Sequence, residues 1–238
     1  VLEKVGPDGR RLDEIRGQIG SLAVQARESF VEGIAGLMRA LDARDPFTRS
    51  HSEKVTCYAI GIAEQMGIDP EQVQVIRRAA LVHDLGMIGV PDSILLKPTP
   101  LTEQERAIVR CHPVTALSIL DPMSLLRPEL PIIHQHHERW DGQGYPDQIA
   151  GPRICPGARI VAVADALDAI TSARNYRDAR PLAEALRIIR EGAGTQFAPD
   201  VVAALEAWTD SIRAGLVPGT DLTTEALLDA TREAALVS

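Results

Sequence analysis

Ala79-Ala80-Leu81-Val82-His83-Asp84-Leu85-Gly86 is an apolar run that ends in a histidine and an aspartate side by side and is closed by a glycine. Two polar groups at the end of a buried helix are costly unless they are hydrogen-bonded or hold something. Neighbouring helix residues point about 100° apart, because a turn holds about 3.6 residues. His83 and Asp84 therefore do not readily chelate one ion from a single face. They can straddle two ions, or one can bind while the other bridges. The alternative is a His–Asp hydrogen bond inside the core. The remaining histidines weigh against it: His51, His112, His134, His136 and His137 all lie in the middle of the chain, in or beside apolar segments. Histidine is the commonest metal-binding side chain, and its recurrence with carboxylates on apolar segments points to a metal centre.

The flanking segments carry helical spacing. Asp69-Pro70-Glu71 supplies an N-cap and a proline for a helix start, and Val73, Ile76, Ala80 and Leu81 carry that helix into His83-Asp84. Before it, Val55, Tyr58, Ala59, Ile62, Ala63 and Met66 mark a helix that begins near residues 48–51, with His51 in its first turn and Gly67 at its end. Ile19, Leu22, Ala26, Phe30, Ile34, Leu37 and Leu41 predict a long leading helix over 18–43. The turn-rich, charged stretch 1–17 reads as a linker or the end of a preceding element.

Downstream, residues 89–100 read as a loop. Thr102-Glu103-Gln104-Glu105 is a capping box that starts a helix running toward His112. Pro113 resets the chain, and 114–120 continue as helix. After a loop at 121–128, the apolar segment 130–137 ends in His134, His136 and His137, followed by the polar loop Asp141-Gly142-Gln143-Gly144-Tyr145-Pro146. Residues 157–172 form the strongest helix, burying Ile160, Val163, Ala164, Leu167 and Ile170. Asp165 sits at the margin of that stripe, where a carboxylate needs a partner, either a metal or a nearby arginine. Helices near 182–191, 199–213 and 223–234 complete the chain, with no persistent strand pattern and no internal repeat.

Composition agrees with helix packed on helix. Of 238 residues, 45% are hydrophobic but only 3% aromatic, so the core is aliphatic. The net charge of −8 argues against a DNA or RNA polymer as partner, since that requires a broad basic surface. A small phosphate ligand needs only local arginines. Cys57, Cys111 and Cys155 form neither a CxxC pair nor an even disulfide framework and read as reduced thiols in a cytoplasmic setting. No apolar run approaches the roughly 18 residues of a membrane span, and no signal peptide is expected from these residues. The start at Val1 points to a processed chain or a fragment of a longer one.

Several stretches together resemble the HD-GYP branch of the HD phosphohydrolase superfamily. They are His83-Asp84, Ile88-Gly89-Val90-Pro91-Asp92, Leu96-Lys97-Pro98, Leu101-Thr102, His136-His137-Glu138, Trp140-Asp141-Gly142, Gly144-Tyr145-Pro146, Arg159-Ile160 and the run from Asp165 through Asp168-Ala169 to Arg174-Asn175-Tyr176-Arg177. The resemblance covers roughly 30–207. It implies an all-α HD-domain helical bundle over 30–207, with a linker and the start of the leading helix at 1–29 and a C-terminal helical extension at 208–238. It implies two or three divalent metal ions, iron or manganese, with zinc, nickel or magnesium as substitutes in vitro. Their ligands would be His51, His83, Asp84, His112, His136, His137 and Asp165, with Asp84 bridging and His83 and Asp84 at the catalytic centre. His134 has no counterpart among those ligands.

The implied activity is hydrolysis of cyclic di-GMP, a bacterial second messenger, to pGpG and in some members on to GMP. Tyr145, Asp168, Arg174 and Arg177 would contact the dinucleotide. The implied partners are the cyclic dinucleotide, diguanylate cyclase domains docking at the GYP loop, and an upstream sensory domain; the leading helix suits a homodimer. Two positions depart from the family pattern. Met87 stands where the family has a lysine after His-Asp-x-Gly, and loss of such a donor costs about 100- to 1000-fold in rate. Phe47 stands where some members carry a carboxylate for a third metal, so two ions are expected. Met87 opens a competing reading, a degenerate module that binds metal or nucleotide and signals through protein contacts. A phosphohydrolase acting on another nucleotide is a third, against which the GYP loop argues.

Overall fold

The structure is a computed structural model that describes residues 7–42, 51–172 and 179–215. The expected helix at 223–234, Phe47, Arg174 and Arg177 lie outside the described residues. The chain divides at Leu37/Met38 into two units. The first is built on the helix α1 (Pro7–Asp42), which begins eleven residues before the predicted start, so that 7–17 are helical where a linker or the end of a preceding element is expected. Pro7 opens it at a position where a proline's missing N–H costs nothing. Arg10-Arg11-Leu12-Asp13-Glu14 are mostly acceptable helix formers, and the single Gly9 costs only about 1 kcal/mol. A charged stretch without an apolar period gives no sign of this helix in the sequence. Along α1, Ile15, Ile19 and Leu22 stand three and four apart and are exposed.

The second unit is all-helical. Its helices are α2 (His51–Gln65), α3 (Pro70–Val82), α4 (Asp92–Leu95), α5 (Glu103–Val109), α6 (His112–Leu120), α7 (Leu130–Gln135), α8 (Pro156–Thr171), α9 (Leu182–Glu191) and α10 (Pro199–Gly215). Among the described residues there is no strand, only an isolated bridge between Ala193 and Phe197. Local chemistry sets several boundaries. Asp69 accepts from the Glu71 N–H at 2.9 Å to cap α3, and Gly67, at φ +67°, closes the preceding helix. Thr102 and Glu105 complete the capping box of α5. The loop expected at 89–100 holds the single-turn helix α4, too short to show an apolar period, and 3₁₀ turns follow His83-Asp84 and sit within 121–128.

Helix α2 lies at the centre, packed on α3, α8 and α10. The apolar stripes interlock: Val55, Tyr58, Ala59, Ile62 and Ala63 of α2 and Ile160, Val163, Ala164 and Leu167 of α8 are fully buried. Arg78 on α3 donates to Glu129 at 2.7 Å, a buried ion pair that ties α3 to the residue preceding α7. The helices that carry His51, His83, Asp165 and the paired histidines thus share one core.

Candidate metal centre

Three of the histidines are aimed by what their helix ends offer. His83 follows the last residue of α3, His112 opens α6, and His136 follows α7. Their Nδ1–H groups donate to the carbonyls of Ala80, Val109 and Ile133, each three residues earlier, at 2.7, 2.8 and 2.7 Å. A neutral imidazole that donates from Nδ1 presents a lone pair at Nε2, the metal-binding form. Asp84 lies just past the helix at φ −92°, ψ 11°, the bridge region where many active-site residues sit. Leaving the helix there frees His83 and Asp84 from the 100° divergence and lets both face one centre. The close approach of α6 depends on Gly86: a Cβ there would stand 1.9 Å from the His112 carbonyl oxygen.

The side chains gather into two clusters. Asp84, His112, His136 and His137 offer ligand atoms within 4.8 Å of one another, and so do His51, His83 and Asp165. The Asp84 carboxylate joins them. Its Oδ1 is 3.2 Å from His112 Nε2 and 3.8 Å from His136 Nε2; its Oδ2 is 3.6 Å from His51 Nε2 and 3.6 Å from His83 Nε2. Asp165 Oδ1 is 3.5 Å from His51 Nε2. Two ligands each about 2.1 Å from one ion, at tetrahedral or octahedral angles, stand about 3.0–3.4 Å apart. The observed spacings are in or just above that range.

Electrostatics fit a cation. His112 Nε2 faces His136 Nε2 at 3.1 Å while both rings donate through Nδ1, so two lone pairs meet unless positive charge lies between them. His83 Nε2 is buried with no hydrogen-bond partner. Burial, reinforced by the neighbouring imidazoles, holds His136 well below its ordinary value, and burial pushes His137 down to about 4, so both are neutral at pH 7. His51 is the exception. Burial alone would lower it, but its hydrogen bond to Asp168 and the carboxylates of Asp84 and Asp165 raise it to about 10. Burial would raise Asp84, yet the surrounding His83, His51 and His112 hold it well below the usual carboxylate range. A nitrogen- and oxygen-rich donor set of this kind suits iron, manganese or zinc.

One side stays open: Asp84 and Asp165 are 25% and 20% exposed, whereas His83, His112 and His136 are buried. The GYP loop borders the histidine cluster. Its Tyr145 N–H donates to the His137 carbonyl at 3.2 Å, a fold-back that leaves no room for a Cβ at Gly144 (2.4 Å from Arg139 N). The Tyr145 ring lies 4.8 Å from the His137 ring, and Arg110 stands 5.7 Å from its centroid. Burial and then the charges of Asp84 and Asp165 push the Tyr145 phenol up, so it stays protonated.

The seven residues expected as metal ligands are thus brought together. His134 turns away to Asp147 at 2.9 Å. Asp168 does not line the open side; it is 2% exposed and lies behind His51. Arg110 is not marked in the sequence, where it stands as a lone arginine, and neither are Arg78 and Glu129, whose pairing spans 51 positions.

Residues 36–201 match the HD domain family. The chain is 41% identical over 184 residues to the cyclic di-GMP phosphodiesterase response regulator RpfG of Xanthomonas campestris, spanning 76% of this chain and 48% of that protein. It is 40% identical over 182 residues to a cyclic di-GMP phosphodiesterase of Thermotoga maritima, spanning 74% of this chain and 49% of that one. The chain spans about half the length of these curated relatives. Among solved structures it is similar in fold to Bd1817, an HDG"Y"P protein from Bdellovibrio bacteriovorus, with a TM-score of 0.57 at 22% identity over 77% of this chain and 61% of that one. No helix among the described residues is long and apolar enough to cross a membrane. With His83-Asp84 at the meeting point of two histidine–carboxylate clusters and a GYP loop at their border, this chain belongs to the HD domain family, in its HD-GYP branch.

Proposed function

We propose that this chain is a metal-dependent phosphodiesterase that hydrolyses cyclic di-GMP to pGpG, with turnover on to GMP as a second step. His51, His83 and Asp165 would hold one divalent ion and His112, His136 and His137 another, with Asp84 placed to serve both. The observation that supports this best is the division of the Asp84 carboxylate, one oxygen toward each cluster. When bound, such a pair of ions lowers the pKa of water and polarises a phosphoryl oxygen. The chain's own residues do the rest. The backbone carbonyls under His83, His112 and His136 fix the imidazoles, so little reorganisation is needed. The protonated Tyr145 phenol can donate to a phosphate oxygen, and Arg110 brings a cation to the same border. Arg174 and Arg177 suit phosphate oxygens or guanine edges through their planar forks. The relatives named as cyclic di-GMP phosphodiesterases support this substrate, and iron or manganese is the proposed metal.

Anaerobic loading with Fe²⁺ or Mn²⁺ followed by incubation with cyclic di-GMP tests the proposal. About two ions per chain and appearance of pGpG support it. A chain that takes up no metal sinks it. Bound metal without turnover supports the degenerate module, which Met87 favours as a specific departure. For that case Met87→Lys is expected to raise kcat by about 100- to 1000-fold, read by pGpG formation at saturating substrate. An unchanged kcat shows that the missing lysine is not the cause.

An upstream sensory domain and cyclase domains at the GYP loop belong to the same proposal. So does pairing of two copies along the exposed Ile15, Ile19 and Leu22 stripe of α1, whose three-and-four spacing suits a helical seam.

A further inference from the structure

We infer that Asp168 is a positioning residue that orients His51 toward the metal centre, held in turn by Ser172 and Lys54, and is not a nucleotide contact. The inference rests on the metal reading above. Three of the histidines take their aim from a carbonyl one turn earlier, a local device. His51 opens α2, and its Nδ1 turns instead to Asp168 Oδ2 on α8, at 2.7 Å and 117 positions away in sequence. The other Asp168 oxygen accepts from the Ser172 hydroxyl at 2.8 Å. Lys54, one turn along α2 from His51, donates to the same hydroxyl at 3.2 Å and lies 3.7 Å from that Asp168 oxygen.

Both carboxylate oxygens are therefore engaged, and Asp168 is 2% exposed, so the carboxylate faces His51 and Ser172 inside the protein. What the carboxylate does instead is fix the proton on His51 Nδ1 and leave Nε2 pointing between Asp84 and Asp165, 3.6 and 3.5 Å away. Outer partners of this kind set the ring orientation and basicity of a ligating histidine, and their loss typically costs about 10- to 100-fold in metal affinity. The clamp also fastens the start of α2 to the end of α8, the two helices that bring His51 and Asp165 to one cluster.

The test compares wild type, Asp168→Asn, Asp168→Glu and Ser172→Ala in the full chain. Mn²⁺ affinity is read by chelator competition, and kcat and KM are read with cyclic di-GMP. Asp168→Asn is expected to weaken one of the two ions by about 10- to 100-fold and to spare the other. It should lower kcat while KM stays within about twofold. Asp168→Glu recovers part of the loss, and Ser172→Ala shifts affinity the same way by less. Wild-type Mn²⁺ affinity in Asp168→Asn with a raised KM would make Asp168 a nucleotide contact and overturn the inference. Should Asp168→Asn fail to fold by circular dichroism, Ser172→Ala decides, and an unchanged affinity overturns it. A wild-type chain that takes up no Mn²⁺ removes the metal reading and this inference together; normal loading beside an unaffected variant removes this inference alone.

Discussion

An Asp84→Asn chain is expected to stay folded, to lose tight binding of both ions and to hydrolyse cyclic di-GMP at least about 1000-fold more slowly than wild type. The reason is the position of the carboxylate. Asp84 is the residue whose two oxygens reach toward both clusters, Oδ1 to His112 and His136 and Oδ2 to His51 and His83. Asparagine keeps the size but removes the negative charge that two cations would share, and it turns an N–H₂ toward lone pairs that a metal would otherwise meet. His136→Ala makes the contrast. It removes a ligand from one cluster only and should leave the ion held by His51, His83 and Asp165 in place. Metal per chain, measured after gel filtration without added chelator, reads both variants. Two tightly held ions in Asp84→Asn contradict the bridging role.

Gly86→Ala is expected to be the most damaging of the small substitutions. The added Cβ would lie 1.9 Å from the His112 carbonyl oxygen, 2.7 Å from its carbon and 2.8 Å from Ala116 N, all backbone atoms that cannot rotate away. Overpacking of this kind costs about 1–3 kcal/mol and sometimes more, so Tm should fall by roughly 5–10 °C. Relief of the clash requires the first turn of α6 to move off the turn after Asp84, which carries His112 away from Asp84 Oδ1. Metal binding at the His112, His136 and His137 cluster should therefore fall along with stability. A chain that melts like wild type and loads its full metal complement shows that the close approach is not needed.

Much of the fold was legible because its signals are local. The Asp69 cap, the Thr102–Glu105 capping box and the stripe of α8 each act within a few residues, and the helices fall close to where those signals put them. The start of α1 is not legible because residues 7–14 show no apolar period, and α4 is not because one turn is too short to show one. At the metal centre, residue type carried the information. Imidazoles and carboxylates on apolar segments have few uses that justify their burial, which points to a cation site; the particular set of seven follows from the resemblance to the HD-GYP family. Asp168 shows the limit. Its resemblance to a nucleotide-contacting position says nothing about where its oxygens point, and they point to His51 and Ser172.

By itself the order of residues determined the helices, the aliphatic core and the donor types available to a cation, since propensity, spacing and ligand chemistry belong to a residue and its near neighbours. Only the tertiary structure decided which donors meet, that Asp84 divides its oxygens between two clusters, and that His51 takes its orientation from α8. Those facts depend on how closely α2 lies on α8 and α6 on the turn at Gly86. Distances between residues a hundred positions apart arise from packing, which no local stretch contains.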